Sequence, residues 1–292
     1  MSLAEPVPSP ASAAPADVAH SPARPPWLRF DDVGLPVLPT VAQRVIELAG
    51  DPSASVATLA NIVSKEQVLA SRVLAYANSA QHCPLGNVST VRTAIVRLGT
   101  GIVRGVVMAE CFASRLYDPG TYGETGRALA DHALGTAYTA RLVAERVGIE
   151  LEEAFLCGLL HDVGKLVVLK LARDHERRSG RTLEREDVQT AMTAHHAALG
   201  GLVLKKWRLP DALDEPVRFH HDYASAPTRR RETAALCLAN LLSHRYGFGC
   251  PADDVNPVDT PVAAELGLDG LWLERMDARA PGLVEVARQI FA

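Results

Sequence analysis

A histidine and an aspartate stand side by side inside an apolar run, and this pair constrains the fold more than any other feature. The run reads Leu-Leu-His-Asp-Val-Gly-Lys-Leu over residues 159–166. If it is helical, the side chains of His161 and Asp162 leave the axis about 100° apart, so that one ion between them contacts both. A buried carboxylate needs a partner, either a metal ion or a hydrogen-bonded cation. The simpler interpretation, in which Asp162 only satisfies a nearby donor, loses ground as further histidines fall at helical positions on both sides.

Apolar residues recur at the three- and four-residue spacing of a helix along most of the chain. The helix predicted over 124–147 places Leu129, Ala133 and Ala140 on one buried stripe, and His132 lies on that stripe. Between residues 35 and 118 the apolar residues follow short helical stripes, and no segment alternates with period two for long enough to require a strand. The sequence therefore predicts an all-α fold.

Four further polar residues of interest fall on or beside predicted helices. A helix that begins at Glu152 is expected to carry His161 and Asp162, and a helix over 187–207 carries His196. The remaining three are the pair that ends the helix after Pro210 and an asparagine in a later apolar run: His220, His221 and Asn240.

Composition limits the function classes. The chain has 292 residues, 48% of them apolar, and a net charge of −4, which gives no electrostatic case for nucleic acid or an anionic membrane. Charges interrupt every apolar stretch well short of about 18 residues, so no membrane span is expected. The N-terminus does not have the pattern of a secretory signal. Five cysteines without CxxC spacing favour a reducing compartment, and we expect a cytoplasmic protein.

Changes in composition predict four segments. Residues 1–26 are rich in Ala, Pro and Ser and are expected to be disordered. Residues 30–118 form a helical N-terminal subdomain, residues 124–248 a second helical subdomain, and residues 250–292 a helical C-terminal cap. The segment 82–88 is predicted as a loop, and the polar segment 173–185 as a solvated loop or a frayed helix.

Imidazole and carboxylate together suit iron, manganese, zinc or nickel. Two such ions about 3.5–4 Å apart clamp a phosphate and activate water. Lys165 stands one helical turn after His161, where it either holds a phosphoryl oxygen or points to solvent. The sequence has no G-x-S-x-G nucleophile turn and no glycine-rich phosphate loop, so a Ser-His-Asp or Cys-His hydrolase is less plausible.

These histidines, with Gly164-Lys165 after the His-Asp pair and Gly200 four residues after His196, resemble the HD superfamily of metal-dependent phosphohydrolases. More closely, the chain resembles the HDOD family of bacterial signal-output modules, over roughly residues 30–245. The closer likeness is carried by five stretches: Leu-Pro-x-Leu-Pro over 35–39, Leu-Ala-Tyr-Ala-Asn-Ser over 74–79, Ala-Ile-Val-Arg-Leu-Gly over 94–99, Gly-Leu-Leu-His-Asp-Val-Gly-Lys over 158–165, and Trp-Arg-Leu-Pro over 207–210.

The resemblance implies a helical N-terminal half packed on an HD-like half, and a role in bacterial signalling, usually without demonstrated catalysis. It implies one or two divalent ions (Fe, Mn, Zn, Ni or Mg) at His132, His161, Asp162, His196, His220, His221 and Asn240. The HD pattern has an aspartate where this chain has Asn240, and an amide oxygen is a weaker ligand than a carboxylate. The Gly-Tyr-Pro segment of the related HD-GYP cyclic-di-GMP phosphodiesterases is replaced here by Asp-Tyr-Ala-Ser-Ala-Pro over 222–227.

Three hypotheses remain open from the sequence. The first is a largely non-catalytic, regulatory signalling module that contacts another signalling protein and is tuned by a metal or a nucleotide. The second is a metal-dependent phosphohydrolase of a nucleotide or phosphodiester, in which Lys165 steadies the developing charge. The third is a purely structural histidine cluster.

Overall fold

Helices make up every regular element in the part of the chain that the computed structural model describes, which is residues 24–29, 39–49, 55–78, 86–115, 119–249 and 256–291. The all-α prediction is confirmed. The α-helices are α1 (Thr40–Ala49), α2 (Val56–Ser64), α3 (Gln67–Ala77), α4 (Val91–Leu98), α5 (Thr100–Arg115), α6 (Pro119–Val147), α7 (Leu151–Leu160), α8 (Val163–Ser179), α9 (Arg185–Lys206), α10 (Asp214–Phe219), α11 (Arg230–Arg245), α12 (Pro261–Leu266) and α13 (Gly270–Phe291). Single 3₁₀ turns lie at Asp211–Leu213, Tyr223–Ser225 and Pro257–Asp259. Among these described helices, none has the length and apolarity needed to cross a membrane.

Three sequence predictions fall partly outside the described residues. They are the tail over 1–26, of which 1–23 are not described, the loop over 82–88, of which 82–85 are not described, and the first residues of the cap after 250.

One compact unit comprises residues 36–130 and 281–292. Within it α5 packs against each of α1, α2, α3 and α4. Side-chain caps set where the short helices begin, since Ser55 Oγ accepts from the N–H of Thr58 at 3.2 Å and Thr90 Oγ1 accepts from the N–H of Thr93 at 3.1 Å.

The second compact unit comprises residues 1–35 and 131–280, and it contains every candidate site residue. Its core forms where α6, α7, α11, α12 and α13 bury small and aliphatic side chains against one another, among them Val143, Ala154, Leu238, Val262 and Leu273. Alanines at many of these positions let the helices approach closely.

The His-Asp pair does not lie inside one helix, which corrects the prediction. Helix α7 ends at Leu160 and α8 begins at Val163, so His161 and Asp162 form the junction between them. Asp162 has φ −100° and ψ 7°, and its carbonyl accepts from the N–H of Lys165 at 2.9 Å, which restarts the chain in a new direction. The apolar spacing continues through this break, and for that reason periodicity did not reveal it.

The polar segment over 173–185 is also more regular than predicted. Helix α8 continues to Ser179 and ends at Gly180, which has φ 68° and donates its N–H to Glu176 O at 2.9 Å. A left-handed glycine is a common helix terminator, and here it fixes the end of α8.

Helices α8 and α9 approach each other at a glycine. A Cβ atom on Gly164 would lie 1.9 Å from the carbonyl oxygen of His196, which is shorter than any non-bonded contact. The absence of a side chain at Gly164 therefore allows α9 to bring His196 beside the α7–α8 junction.

Candidate metal centre

Five elements of the second unit each bring one or more polar side chains to a single place. Helix α6 supplies His132, the α7–α8 junction supplies His161 and Asp162, and α9 supplies His196. The remaining ligand candidates come from the turn after α10 and from α11: His220, His221 and Asn240.

Nearly all of these side chains are buried. His161 and His220 are 0% exposed and Asp162 is 1% exposed, whereas His221 is the exposed member of the set. So much buried polarity is costly unless the groups satisfy one another or hold an ion. The exposed His221 marks the edge at which the centre meets solvent.

The candidate ligands form two halves that share Asp162. In the three-histidine half, His196 Nε2 lies 3.2 Å from His220 Nε2 and 3.1 Å from His221 Nε2. In the two-histidine half, His161 Nε2 lies 3.3 Å from His132 Nε2. The ligand atoms of the three histidines in the first half lie within 4.8 Å of one another. The same holds in the second half when Asp162 is counted with its two histidines.

Backbone carbonyls set the orientation of three rings. In each of them Nδ1 lies 2.7 Å from a carbonyl oxygen: His161 with Gly158, His196 with Met192, and His220 with Val217. A carbonyl oxygen only accepts, so Nδ1 carries the proton and donates it. In a neutral imidazole this leaves Nε2 with its lone pair, and that atom points into the centre.

The two oxygens of Asp162 have different neighbours. Oδ2 lies 2.6 Å from Lys165 Nζ and 3.3 Å from His161 Nε2. Oδ1 lies 3.4 Å from His196 Nε2 and 3.9 Å from His220 Nε2, and it is buried without a hydrogen-bond partner among the described residues. One carboxylate oxygen is thus paired with an ammonium, and the other is directed at the three-histidine half.

His132 lies between two carbonyl oxygens. Its Nδ1 is 3.2 Å from the backbone oxygen of Phe248, and its Nε2 is 2.9 Å from Oδ1 of Asn240. Asn240 therefore contacts the ring atom through which His132 would bind a metal ion.

The surroundings keep four of the histidines, His132, His196, His220 and His221, neutral and keep Asp162 ionised. Burial lowers the pKa of His196 to about 3, and the His220 ring together with burial lowers the pKa of His221 to about 2. Burial also holds the pKa values of His132 and His220 well below the ordinary value. Burial alone would raise the pKa of Asp162, but its histidine neighbours and Lys165 hold it well below the usual range.

The residues present fit a divalent metal ion. Neutral rings whose Nε2 lone pairs face one another repel, and an unpartnered buried carboxylate oxygen lies beside them. A cation between them converts this repulsion into coordination. Two imidazole nitrogens bound to one ion at about 2.0–2.1 Å, with bond angles of about 90–110°, lie about 2.9–3.4 Å apart, which matches the observed spacing. When bound, such an ion acts as a Lewis acid that polarises a phosphoryl oxygen and acidifies water.

The structure brings all seven predicted ligands together and places Lys165 against Asp162. Their role as metal ligands stays a prediction. Lys165 neither reaches outward to a phosphoryl oxygen nor simply points to solvent, because its ammonium is paired with Asp162 Oδ2 and the side chain is 24% exposed.

Sequence reasoning missed the ring of His244 and the backbone carbonyls that accept hydrogen bonds from the other histidines. His244 lies one helical turn after Asn240 on α11, and its ring centroid is 4.7 Å from that of His132. The four-residue spacing from Asn240 was the available signal. The carbonyl oxygens of Gly158, Met192 and Val217 could not be predicted as acceptors from residue type, because every residue has a backbone carbonyl.

Known proteins match both the sequence and the fold. The chain is 24% identical to an uncharacterized protein of Treponema pallidum (strain Nichols) over 224 residues, which are 73% of this chain and 42% of that protein. It is 31% identical to ribonuclease Y of Aquifex aeolicus (strain VF5) over 112 residues, which are 38% of this chain and 16% of the ribonuclease. The chain thus spans less than half of the length of either relative.

A solved HDOD domain protein of unknown function from Geobacter sulfurreducens has the same fold. The TM-score is 0.67 at 21% sequence identity, covering 88% of this chain and 94% of that one. The family model of the HDOD domain matches residues 35–223, which is more than half of the sequence and includes all the site residues except Asn240. The chain therefore belongs to the HDOD domain family.

Proposed function

We propose that this protein is a bacterial signal-output module that acts through contacts with another signalling protein. Its histidine centre binds a metal ion as a structural or regulatory ligand and does not turn over a substrate. A nucleotide is the small ligand that we propose for the exposed edge at His221. Membership of the HDOD family supports the signalling role.

The observation that carries the non-catalytic role is the ion pair of Lys165 with Asp162. The ammonium lies 2.6 Å from a carboxylate oxygen that is 1% exposed. A lysine held in this way is not positioned to stabilise charge on a phosphoryl group. Asn240, in place of a carboxylate, further reduces the negative charge that would hold a second ion.

The test is a turnover assay on the full chain. Protein treated with EDTA and reloaded with Mn²⁺ is incubated with bis(p-nitrophenyl) phosphate and with a panel of nucleotides. We expect the same residual rate from the wild type and from the His161→Ala variant. A rate of about 1 s⁻¹ or more, a low but ordinary enzyme rate, that disappears in His161→Ala would overturn the proposal.

The second candidate is a metal-dependent phosphohydrolase, and one observation favours it. Asp162 Oδ1 is buried without a partner among the described residues and faces the three-histidine half, as a ligand oxygen would. The match to ribonuclease Y makes a phosphodiester of RNA the substrate to test for this candidate. In this role Lys165 would have to leave Asp162 before it could contact a phosphoryl oxygen.

The third candidate, a structural cluster, makes a different prediction. If the histidines only fill the core, His161→Ala lowers the thermal midpoint and leaves any response to metal unchanged. A metal response that is present in the wild type and weakened or lost in His221→Gln, a change in the three-histidine half, excludes this candidate.

A further inference from the structure

We propose that the chain binds one divalent ion, in the three-histidine half with Asp162 as the fourth ligand. Asn240 and Lys165 prevent a second ion from binding in the two-histidine half. This assignment deepens the proposed function, and it rests on that function only in taking the centre to be a metal site.

The first step concerns His132, whose Nε2 is occupied by a hydrogen bond with Asn240 in either neutral tautomer. If Nε2 carries the proton, it donates to Asn240 Oδ1 at 2.9 Å and has no lone pair for an ion. If Nδ1 carries the proton, it donates to Phe248 O, and the amide NH₂ of Asn240, turned by half a rotation, donates to the Nε2 lone pair. An ion must break this hydrogen bond to bind His132. An aspartate at the same position would accept only and would add a ligand.

The second step concerns the charge on Asp162, because only one of its two carboxylate oxygens is paired with an ammonium. Its Oδ2, the oxygen nearer to His161, is already neutralised by the Lys165 ammonium at 2.6 Å. A second cation beside that ammonium would be repelled, and the repulsion is strong because the site is buried. The carboxylate therefore offers little to an ion in the two-histidine half.

The third step concerns the opposite half, where the free ligand atoms lie. There His196 Nε2 lies 3.2 Å from His220 Nε2 and 3.1 Å from His221 Nε2, and Asp162 Oδ1 lies 3.4 Å from His196 Nε2 without a hydrogen-bond partner in the described residues. Three imidazoles and one carboxylate are a complete set for a first-row ion. The exposed ring of His221 provides access from solvent.

The experiment counts ions and is independent of activity. The full chain is stripped with EDTA, dialysed to equilibrium against Mn²⁺, and analysed for manganese per chain. We expect one ion in the wild type. His132→Gln and Asn240→Ala, two different changes in the two-histidine half, keep that ion, whereas His221→Gln lowers the affinity at least tenfold. The double variant Asn240→Asp with Lys165→Met, which removes both groups that keep an ion out of the two-histidine half, binds two ions, whose spin coupling is visible by electron paramagnetic resonance. Far-UV circular dichroism melts confirm that each variant is folded.

Two ions in the wild type, or loss of the single ion in folded His132→Gln or Asn240→Ala with retention in His221→Gln, would overturn the assignment. Absence of any bound ion in the wild type would overturn it as well. The non-catalytic role fails on a different readout, because turnover by a protein that binds one ion contradicts that role and leaves the stoichiometry intact.

Discussion

Buried neutral histidines make stability depend on pH in one direction. In the unfolded chain a histidine has a pKa near 6.5, whereas in the folded protein burial holds the pKa of His196 at about 3. Between these two values the unfolded state binds a proton that the folded state does not. The free energy of unfolding is therefore highest above about pH 6.5 and falls as the pH decreases toward the folded pKa.

This sign gives the first prediction. For the EDTA-treated protein, urea titrations at pH 7, 6 and 5 should show a falling free energy of unfolding, and His196 alone should account for about 2 kcal/mol between pH 7 and pH 5. His196→Gln should be shallower by about that amount. His175→Gln, a histidine of α8 outside the cluster, is the matched control and should follow the wild type. Equal slopes in all three proteins would contradict the prediction.

The ion pair of Lys165 gives the second prediction. Lys165→Met leaves Asp162 buried without its ammonium, which should lower the stability of the metal-free protein by about 3 kcal/mol. The same change should raise the affinity for Mn²⁺ by about tenfold, because a cation next to the ion is removed. Chemical denaturation and dialysis measure the two effects.

Lys170 provides a close control for this change. It lies on the same helix and pairs with Asp174 at 2.7 Å, but both side chains are about a third exposed. A surface pair contributes about 0–1 kcal/mol, so Lys170→Met should be nearly neutral in stability and in metal affinity. Comparable losses in the two variants would mean that burial of Asp162 is not what distinguishes the Lys165 pair.

At the scale of the element, the packing of α8 on α9 gives the third prediction. In Gly164→Ala the added methyl would overlap the carbonyl oxygen of His196, which belongs to a helix backbone that cannot give way locally. We expect a loss of about 3 kcal/mol or more in stability and weaker Mn²⁺ binding, because His196 moves with α9. Thermal denaturation and dialysis are the measurements.

A glycine without neighbours is the control for this variant. A Cβ on Gly270, in the first turn of α13, meets nothing within 4 Å. Gly270→Ala should therefore be neutral or slightly stabilising, since alanine restricts the unfolded chain more than glycine does. A loss in Gly270→Ala as large as that in Gly164→Ala would refute the steric explanation.

The helical type of the elements was readable from the sequence, but the break at the α7–α8 junction was not. The stripe that predicted a helix over 124–147 lies within α6 at Pro119–Val147, because apolar residues at three- and four-residue steps have few alternatives to a helix. The same pattern failed at His161 and Asp162. There the apolar spacing continues from α7 into α8, although the helix breaks, and α8 packs at Gly164 against α9, which lies far away in sequence.

For the molecule as a whole, residue identity predicted which side chains would converge, and geometry decided how they are used. Histidine and aspartate at family positions were sufficient to select six of the seven candidates, and Asn240 was selected because it stands where the family pattern has an aspartate. The pairing of Lys165 with Asp162 is local, at i,i+3 spacing, but the contact of Asn240 with His132 and the neighbouring ring of His244 depend on distances between helices. These distances arise from packing, so they are not encoded in local spacing.

The fourth prediction uses the distribution of tryptophan between the two units. All three tryptophans (Trp27, Trp207 and Trp272) belong to the unit that holds the metal centre. Mn²⁺ at about one hundred times its Kd adds about 2.7 kcal/mol to the stability of that unit and should raise its thermal midpoint, followed by tryptophan fluorescence, by about 5–10 °C. Far-UV circular dichroism reports the helices of both units and serves as the comparison.

The His221→Gln variant is the control for this shift. At the same Mn²⁺ concentration a tenfold weaker site gains at most about 1.4 kcal/mol, so its fluorescence midpoint should shift by about half as much as that of the wild type or less. If the variant and the wild type respond equally, the stabilising ion is bound somewhere other than the three-histidine half.

The carbonyl oxygens behind His196 and His220 have a consequence for which ions can enter. Each of these rings donates Nδ1–H to its own turn of helix at 2.7 Å, so the backbone holds both rings in a fixed orientation with Nε2 facing the centre. A site whose rings have a fixed orientation selects metal ions by their ionic radius. Calcium, whose ligands lie at about 2.3–2.6 Å, would bind only if α9 and α10 moved apart. A smaller transition-metal ion would bind without that movement.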